Sequence, residues 1–249
     1  MAQITPEQTT KAIHPVLGIM GGLGPAASCY LYQMITDHTP AQKDQDHIDI
    51  VISSRASTPD RTAFIVGKSK DDPFDVMEQD GISLVRYGAT VLAIACNTAH
   101  YFYDSIAAAV SVPVLNIMEE TAACLAADGI RCAGILATDG TVLSHSYEKY
   151  LDAHGIRCVL PSSENQMQIM QIIYGQIKKG QHADMRRFRA CAKELFDLGA
   201  ERIILGCTEL SLIKREEHLS PHRAFLDSME VLAKATILAC GKEPIGFDF

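Results

Sequence analysis

Short apolar runs alternate along this chain with longer stretches in which apolar residues recur every three or four positions. The runs predict strands at 16–20 (VLGIM), 48–53 (IDIVIS), 91–95 (VLAIA), 113–116 (PVLN), 132–136 (CAGIL), 156–160 (IRCVL) and 202–206 (RIILG). The longer pattern predicts helices at 25–37, 73–87, 101–109, 119–128, 144–154, 165–179, 184–198 and 228–240. Near-continuous apolar strands separated by helices imply an α/β protein of mainly parallel sheets, covered by helices on both faces.

The pattern also repeats. LGIMGGLGP (17–25) leads through a helix to IDIVISS (48–54), and AGILATDGT (133–141) leads through a helix to IRCVLPSS (156–163). TVLAIACNTAH (90–100) is echoed by ERIILGCTEL (201–210). Two pseudo-symmetric lobes joined near 114–120 are expected, with the active site in the cleft between them. The expected first lobe is 1–117 plus 225–249, where the last helix returns without a strand of its own. The expected second lobe is 118–224.

Composition narrows the function classes. The 249 residues are 47% hydrophobic and 21% charged, ordinary globular usage. A net charge of −8 with no Lys or Arg run argues against nucleic acid and anionic membranes as partners. An anionic substrate would therefore need positive charge gathered locally. The longest apolar stretch, 106–118, is broken by Ser111 and Pro113 and is too short to span a bilayer. The N-terminus lacks the basic-then-apolar order of a signal peptide, and any tail is confined to the first dozen residues. A cytoplasmic protein is expected.

Eight cysteines in a chain of this length, irregularly spaced and without a CxxC pair, predict neither a disulfide scaffold nor structural zinc. Cys29, Cys124, Cys132, Cys158, Cys191 and Cys240 fall inside helical or strand patterns and read as core. Cys96 and Cys207 differ. Each ends an apolar strand and opens a helix, in ACNTAH and GCTEL. The carboxyl end of a parallel strand is where α/β folds place ligands. A helix N-terminus favours a thiolate, and its free N–H groups can hold an anion. The adjoining Thr98 and Thr208 can cap the helix or donate to a carboxylate. Two thiols aimed from facing lobes into one cleft can remove a Cα proton from one face and return one to the other. A metal held by Cys96, His100, Cys207 and Glu209 is the weaker reading, because such sites need a fuller ligand set. His100 can orient a thiol, pack or cap. Glu209 can position an amino group, tune Cys207 or favour the helix dipole.

Gly22-Leu23-Gly24-Pro25-Ala26-Ala27 fits the G-x-G-x-x-A dinucleotide pattern after a strand. With Arg55 as a 2′-phosphate reader this makes an NADP-dependent reductase the runner-up. No acidic residue ends the second strand to bind a ribose. The preferred reading is that the glycines, Gly22 included, let backbone N–H groups approach a small anion or the reaction centre. A non-catalytic bilobed amino-acid-binding protein is the third reading.

The segments GIMGGLGPAAS (18–28), STPDRTAFI (57–65), ACNTAH (95–100), Glu119-Glu120-Thr121 and LGCTEL (205–210) resemble the aspartate racemase branch of the aspartate/glutamate racemase superfamily. The likeness covers nearly the whole chain. It implies a two-lobed fold, no PLP or other cofactor, no metal, a homodimer, and racemisation of an acidic amino acid, aspartate first. It casts Cys96 and Cys207 as the catalytic pair. It casts Asn97, Thr98 and Thr208 as holders of the α-carboxylate, and Arg61 as reader of the side-chain carboxylate. Lys178, followed by Lys179, falls where those enzymes carry a second cationic recognition residue. A planar guanidinium can grip a carboxylate bidentately, which suits Arg61 to its part. Two features depart from the glutamate racemase pattern: Met20-Gly21-Gly22 in place of Asp-Ser, and Glu209 in place of His. Ser53-Ser54-Arg55 also stands where many aspartate racemases carry asparagines.

Overall fold

The computed structural model describes residues 14–219 and 223–249, so the N-terminal tail expected in the first dozen residues lies outside the described residues. Four parallel strands form the first sheet: β1 (Val16–Gly21), β2 (Asp49–Ser54), β3 (Val91–Ile94) and β4 (Val114–Leu115), in the order β2-β1-β3-β4. The second sheet uses β5 (Cys132–Ala137), β6 (Arg157–Val159), β7 (Arg202–Gly206) and β8 (Phe225–Asp227), in the order β6-β5-β7-β8. All its pairings are parallel too. The two sheets thus share one strand order, the repeat expected from the sequence.

Helices cover both sheets. α1 (Pro25–Asp37) starts with Pro25 at its first position, where the missing N–H costs nothing. α3 is Phe74–Arg86, α4 is Tyr103–Ala109, and α5 (Ile117–Ala127) is capped by the Asn116 side chain on the N–H groups of Met118 and Glu119. α9 (Met185–Asp197) buries Phe188, Cys191, Ala192 and Leu195, one stripe at helical spacing.

Several elements depart from expectation. The helix expected at 144–154 shortens to α7 (Glu148–Ala153), and a separate short helix, α6 (Asp139–Leu143), precedes it where none was expected. The helix expected at 165–179 begins as α8 (Ser163–Met170), widens to a π turn over Gln171–Gln176 and closes as a 3-10 turn over Ile177–Lys179. A five-residue helix, α2 (Arg61–Ile65), was not expected; Asp60 caps it by accepting from the Ala63 N–H. The last helix, α11 (Ser228–Ala239), does carry a strand of its own. β8 pairs with β7, so residues 225–227 join the second sheet instead of the first lobe. Three residues are too few for a period of two to register in sequence. α11 packs on α1 and α5 and touches β3, β4, β7 and β8, so it bridges both sheets. One apolar cluster accordingly runs through both lobes, with Leu17, Ile19, Ala93, Ile135, Ile204, Leu226, Leu232 and Ile237 all buried. Of the six cysteines expected in the core, Cys29 is instead exposed on α1. Among the described residues no helix is long and apolar enough to cross a membrane.

Candidate active site

Cys96 follows β3 and Cys207 follows β7, the third strand in chain order of each sheet. Both are buried, 7% and 5% exposed, and both line one small chamber. Its other walls are Leu23, Arg61, Thr62, Asn97, Thr98, Thr138, Tyr174, Lys178, Thr208 and Glu209. Nearly every residue proposed from the sequence is therefore brought to one place. The chamber measures about 10 Å³, room for roughly one water-sized sphere. Beside it lies a cavity of about 610 Å³ along the Gly-rich loop, within the usual range for small-molecule sites.

The two thiols are presented differently. Cys207 is the N-cap residue of α10 (Thr208–Glu217), in extended backbone conformation. Cys96 opens onto a 3-10 turn, Thr98–Phe102, before the seven-residue α4, so no α-helix starts at its sulfur. Neither Thr98 nor Thr208 caps a helix. The expected lowering of the thiol pKa at a helix N-terminus is reversed at Cys207. Burial and then the Glu209 carboxylate push it well above the ordinary thiol range, against the pull of Lys178. Its Sγ donates to Glu209 Oε2 at 3.0 Å. The other Glu209 oxygen, Oε1, pairs with Lys178 Nζ. Burial opposes the charge on Lys178. Glu209, Cys207 and Cys96 together outweigh it and hold the ammonium pKa above its usual value.

His100 does not reach a thiol. Its Nε2 accepts from the Ile117 N–H at 3.1 Å, so Nδ1 carries the proton and donates to the Cys96 carbonyl at 2.8 Å. Both nitrogens are spent on backbone, which removes it from any metal ligand set with Cys96, Cys207 and Glu209. Burial lowers its pKa to about 4.

Asn97 lines the chamber, and each polar atom of its carboxamide also has a partner within the protein. Tyr147 Oη donates to its Oδ1 at 2.6 Å, and its Nδ2 donates to Ser228 Oγ at 3.0 Å. The Thr98 hydroxyl bonds the Thr138 and Thr141 hydroxyls at 2.8 and 3.0 Å. Both side chains expected to grip a carboxylate thus tie the first lobe to the second. Among the described residues Thr208 Oγ1 bonds Glu209 alone, at 3.5 Å. Arg61, 8% exposed, lines chamber and cavity alike. Its Nη atoms donate to the carbonyls of Leu23, Thr58 and Pro59, and its buried Nε has no partner among the described residues. Among the described residues no carboxylate pairs with it.

Gly22 does not offer its N–H to a ligand, as was expected of it. That N–H donates to Ser28 Oγ at 2.9 Å. Its φ is +80°, and a Cβ there would lie 2.4 Å from the Arg55 backbone nitrogen, so the glycine serves the turn. Arg55, the proposed nucleotide reader, is gripped by Asp80 through Nε at 2.8 Å and Nη2 at 2.6 Å. The two supports of the nucleotide reading are thereby engaged within the protein.

Thr138 and Tyr174 were missed as site residues. Thr138 follows β5 as the Gly-rich loop follows β1, so the repeat register was the signal for it. Tyr174 stands one helical turn before Lys178, in the π turn, a common device at functional sites. Its hydroxyl donates to Asp60 at 3.0 Å and holds α2, with Arg61, against the second lobe.

Two parallel-sheet lobes of one strand order, closing their equivalent strand ends on a shared pocket, define an α/β enzyme with a pseudo-symmetric small-molecule site. The family model described as Asp/Glu/hydantoin racemase matches residues 20–236, and the chain belongs to this family. It is 30% identical over 233 residues to the broad specificity amino-acid racemase RacX of Bacillus subtilis (strain 168), covering 89% of this chain and 96% of that protein. Its fold is similar to Picrophilus torridus aspartate racemase, with TM-score 0.78 and 27% identity, covering 93% of this chain and 96% of the other. An aspartate racemase homologue from Pyrococcus horikoshii OT3 matches at TM-score 0.72 and 25% identity, covering 90% and 98%. The racemase class expected from the sequence is the class of these relatives.

Proposed function

We propose that this chain racemises an acidic α-amino acid, aspartate first, by a two-thiol mechanism that needs no cofactor. The observation that carries the reading is the single chamber lined by Cys96 and Cys207 from equivalent strand ends. A thiolate takes the Cα proton and becomes a thiol. The opposing thiol gives its proton to the other face and becomes the thiolate. The enzyme then stands ready for the reverse reaction. Cys207, held protonated by burial and Glu209, enters as the acid, and Cys96 is the base. The Thr208 hydroxyl, held by a long 3.5 Å bond to Glu209, can turn to the α-carboxylate. Arg61, buried and paired with no carboxylate among the described residues, supports an acidic side chain in the substrate. A cytoplasmic homodimer belongs to the same reading.

The test is Cα–H exchange in deuterated buffer across the amino acids, without added cofactor. Aspartate is expected to gain deuterium and lose optical rotation together. Cys96→Ser and Cys207→Ser are each expected to slow this by at least about 100-fold, the lower end of what a positioned acid or base contributes. Wild-type rates in either variant would refute the two-thiol reading.

A further inference from the structure

Glu209 stands where three features meet. It is 5% exposed, and it lines both the outer cavity and the thiol chamber. The residues common to both spaces are Leu23, Arg61, Lys178 and Glu209, so they form the wall between them. Three of the four are charged, and Lys178 and Glu209 form an ion pair. The Gly-rich loop presses on it: a Cβ on Gly24 would lie 2.7 Å from Glu209 Oε1 and 3.8 Å from Lys178 Nζ. The same carboxylate accepts the Cys207 thiol.

A ligand that passes from the outer cavity to the sulfurs between Lys178 and Glu209 parts this ion pair. Separating two largely buried charges is costly unless each finds a new partner. A carboxylate alone re-partners Lys178 and strands Glu209. An α-amino acid offers both an anion for Lys178 and an ammonium for Glu209. We infer that Glu209 is the α-ammonium reader, and that the Lys178–Glu209 pair admits ligands carrying both charges and turns away their des-amino analogues. The inference rests on the racemase reading and sharpens its substrate class. It also links recognition to chemistry: Glu209 turns to the ammonium, its hold on the Cys207 thiol loosens, and that proton becomes available for the Cα position.

Calorimetric titration with matched ligands tests this: L-aspartate against succinate, and L-alanine against propionate. The wild-type protein is expected to prefer the amino acid of each pair by at least about tenfold, the range of one charge-assisted hydrogen bond. Glu209→Gln is expected to bring the ratio near one, weakening aspartate and strengthening succinate, because Lys178 is freed. Glu209→Asp keeps the carboxylate and is expected to retain a preference. An unchanged ratio in the Gln variant would overturn the inference. So would a wild-type protein that binds succinate as well as aspartate, or binds none of the four; these outcomes decide even if the Gln variant does not fold. Deuterium exchange by the wild type separates the two readings. Preference lost in Glu209→Gln without any Cα exchange leaves the ammonium reader and removes the racemase. Exchange with the preference intact in Glu209→Gln removes the reader alone.

Discussion

Arg61 keeps a positive charge inside the protein against three carbonyls and, among the described residues, no carboxylate. Arg55 has Asp80, Lys178 has Glu209 and Arg202 has Asp128, so Arg61 is the buried cation best placed to receive an anion from outside. Arg61→Lys keeps the charge but loses the planar fork. Aspartate affinity is expected to fall at least about tenfold relative to alanine, read by calorimetry. Stability should drop by about 1–3 kcal/mol in urea unfolding, since carbonyls of Leu23, Thr58 and Pro59 lose their donors. An unchanged aspartate-to-alanine ratio would remove Arg61 from side-chain recognition. At this scale residue types and motifs were legible. Partners were not: the ties of Asn97 and Thr98 to Tyr147, Ser228, Thr138 and Thr141 have no signal in the sequence.

Among elements, the corner after β3 depends on His100, which joins the Cys96 carbonyl to the first N–H of α5. Burial lowers its pKa from 6.5 to about 4. Between those values the unfolded chain binds a proton that the native imidazole refuses, so stability falls as pH drops through this window. The loss can reach about 3 kcal/mol, from about 1.4 kcal/mol per pKa unit. Urea unfolding at pH 7 and pH 4.5 is expected to show a larger acid loss in the wild type than in His100→Gln. Equal losses would mean that the imidazole contributes nothing to the pH dependence. Long elements were legible because burial repeats along them. α2 and β8, five and three residues long, are held by a cap and by pairing to β7, and neither leaves a period to detect. The π turn that carries Tyr174 was read as plain helix for the same reason.

At the scale of the molecule, the lobes share one apolar cluster through α1, α5 and α11. Polar ties reinforce it: Tyr147 to Asn97, Asn97 to Ser228, Thr98 to Thr138, Tyr174 to Asp60. Scanning calorimetry is expected to give one transition whose calorimetric and van't Hoff enthalpies agree. Two resolved transitions would show that the lobes are energetically separate.

Hydrophobic period, strand-end cysteines and the repeated motifs were enough to establish the α/β class, the two related lobes and the pair of thiols. Those properties are local: each is written within one element or one short motif. The closing of the chamber, the Lys178–Glu209 wall and the ties of Asn97 all depend on groups tens to more than a hundred residues apart, with Asn97 and Ser228 separated by 131 positions. Burial and electrostatics act through space, and only packing decides which charge faces which.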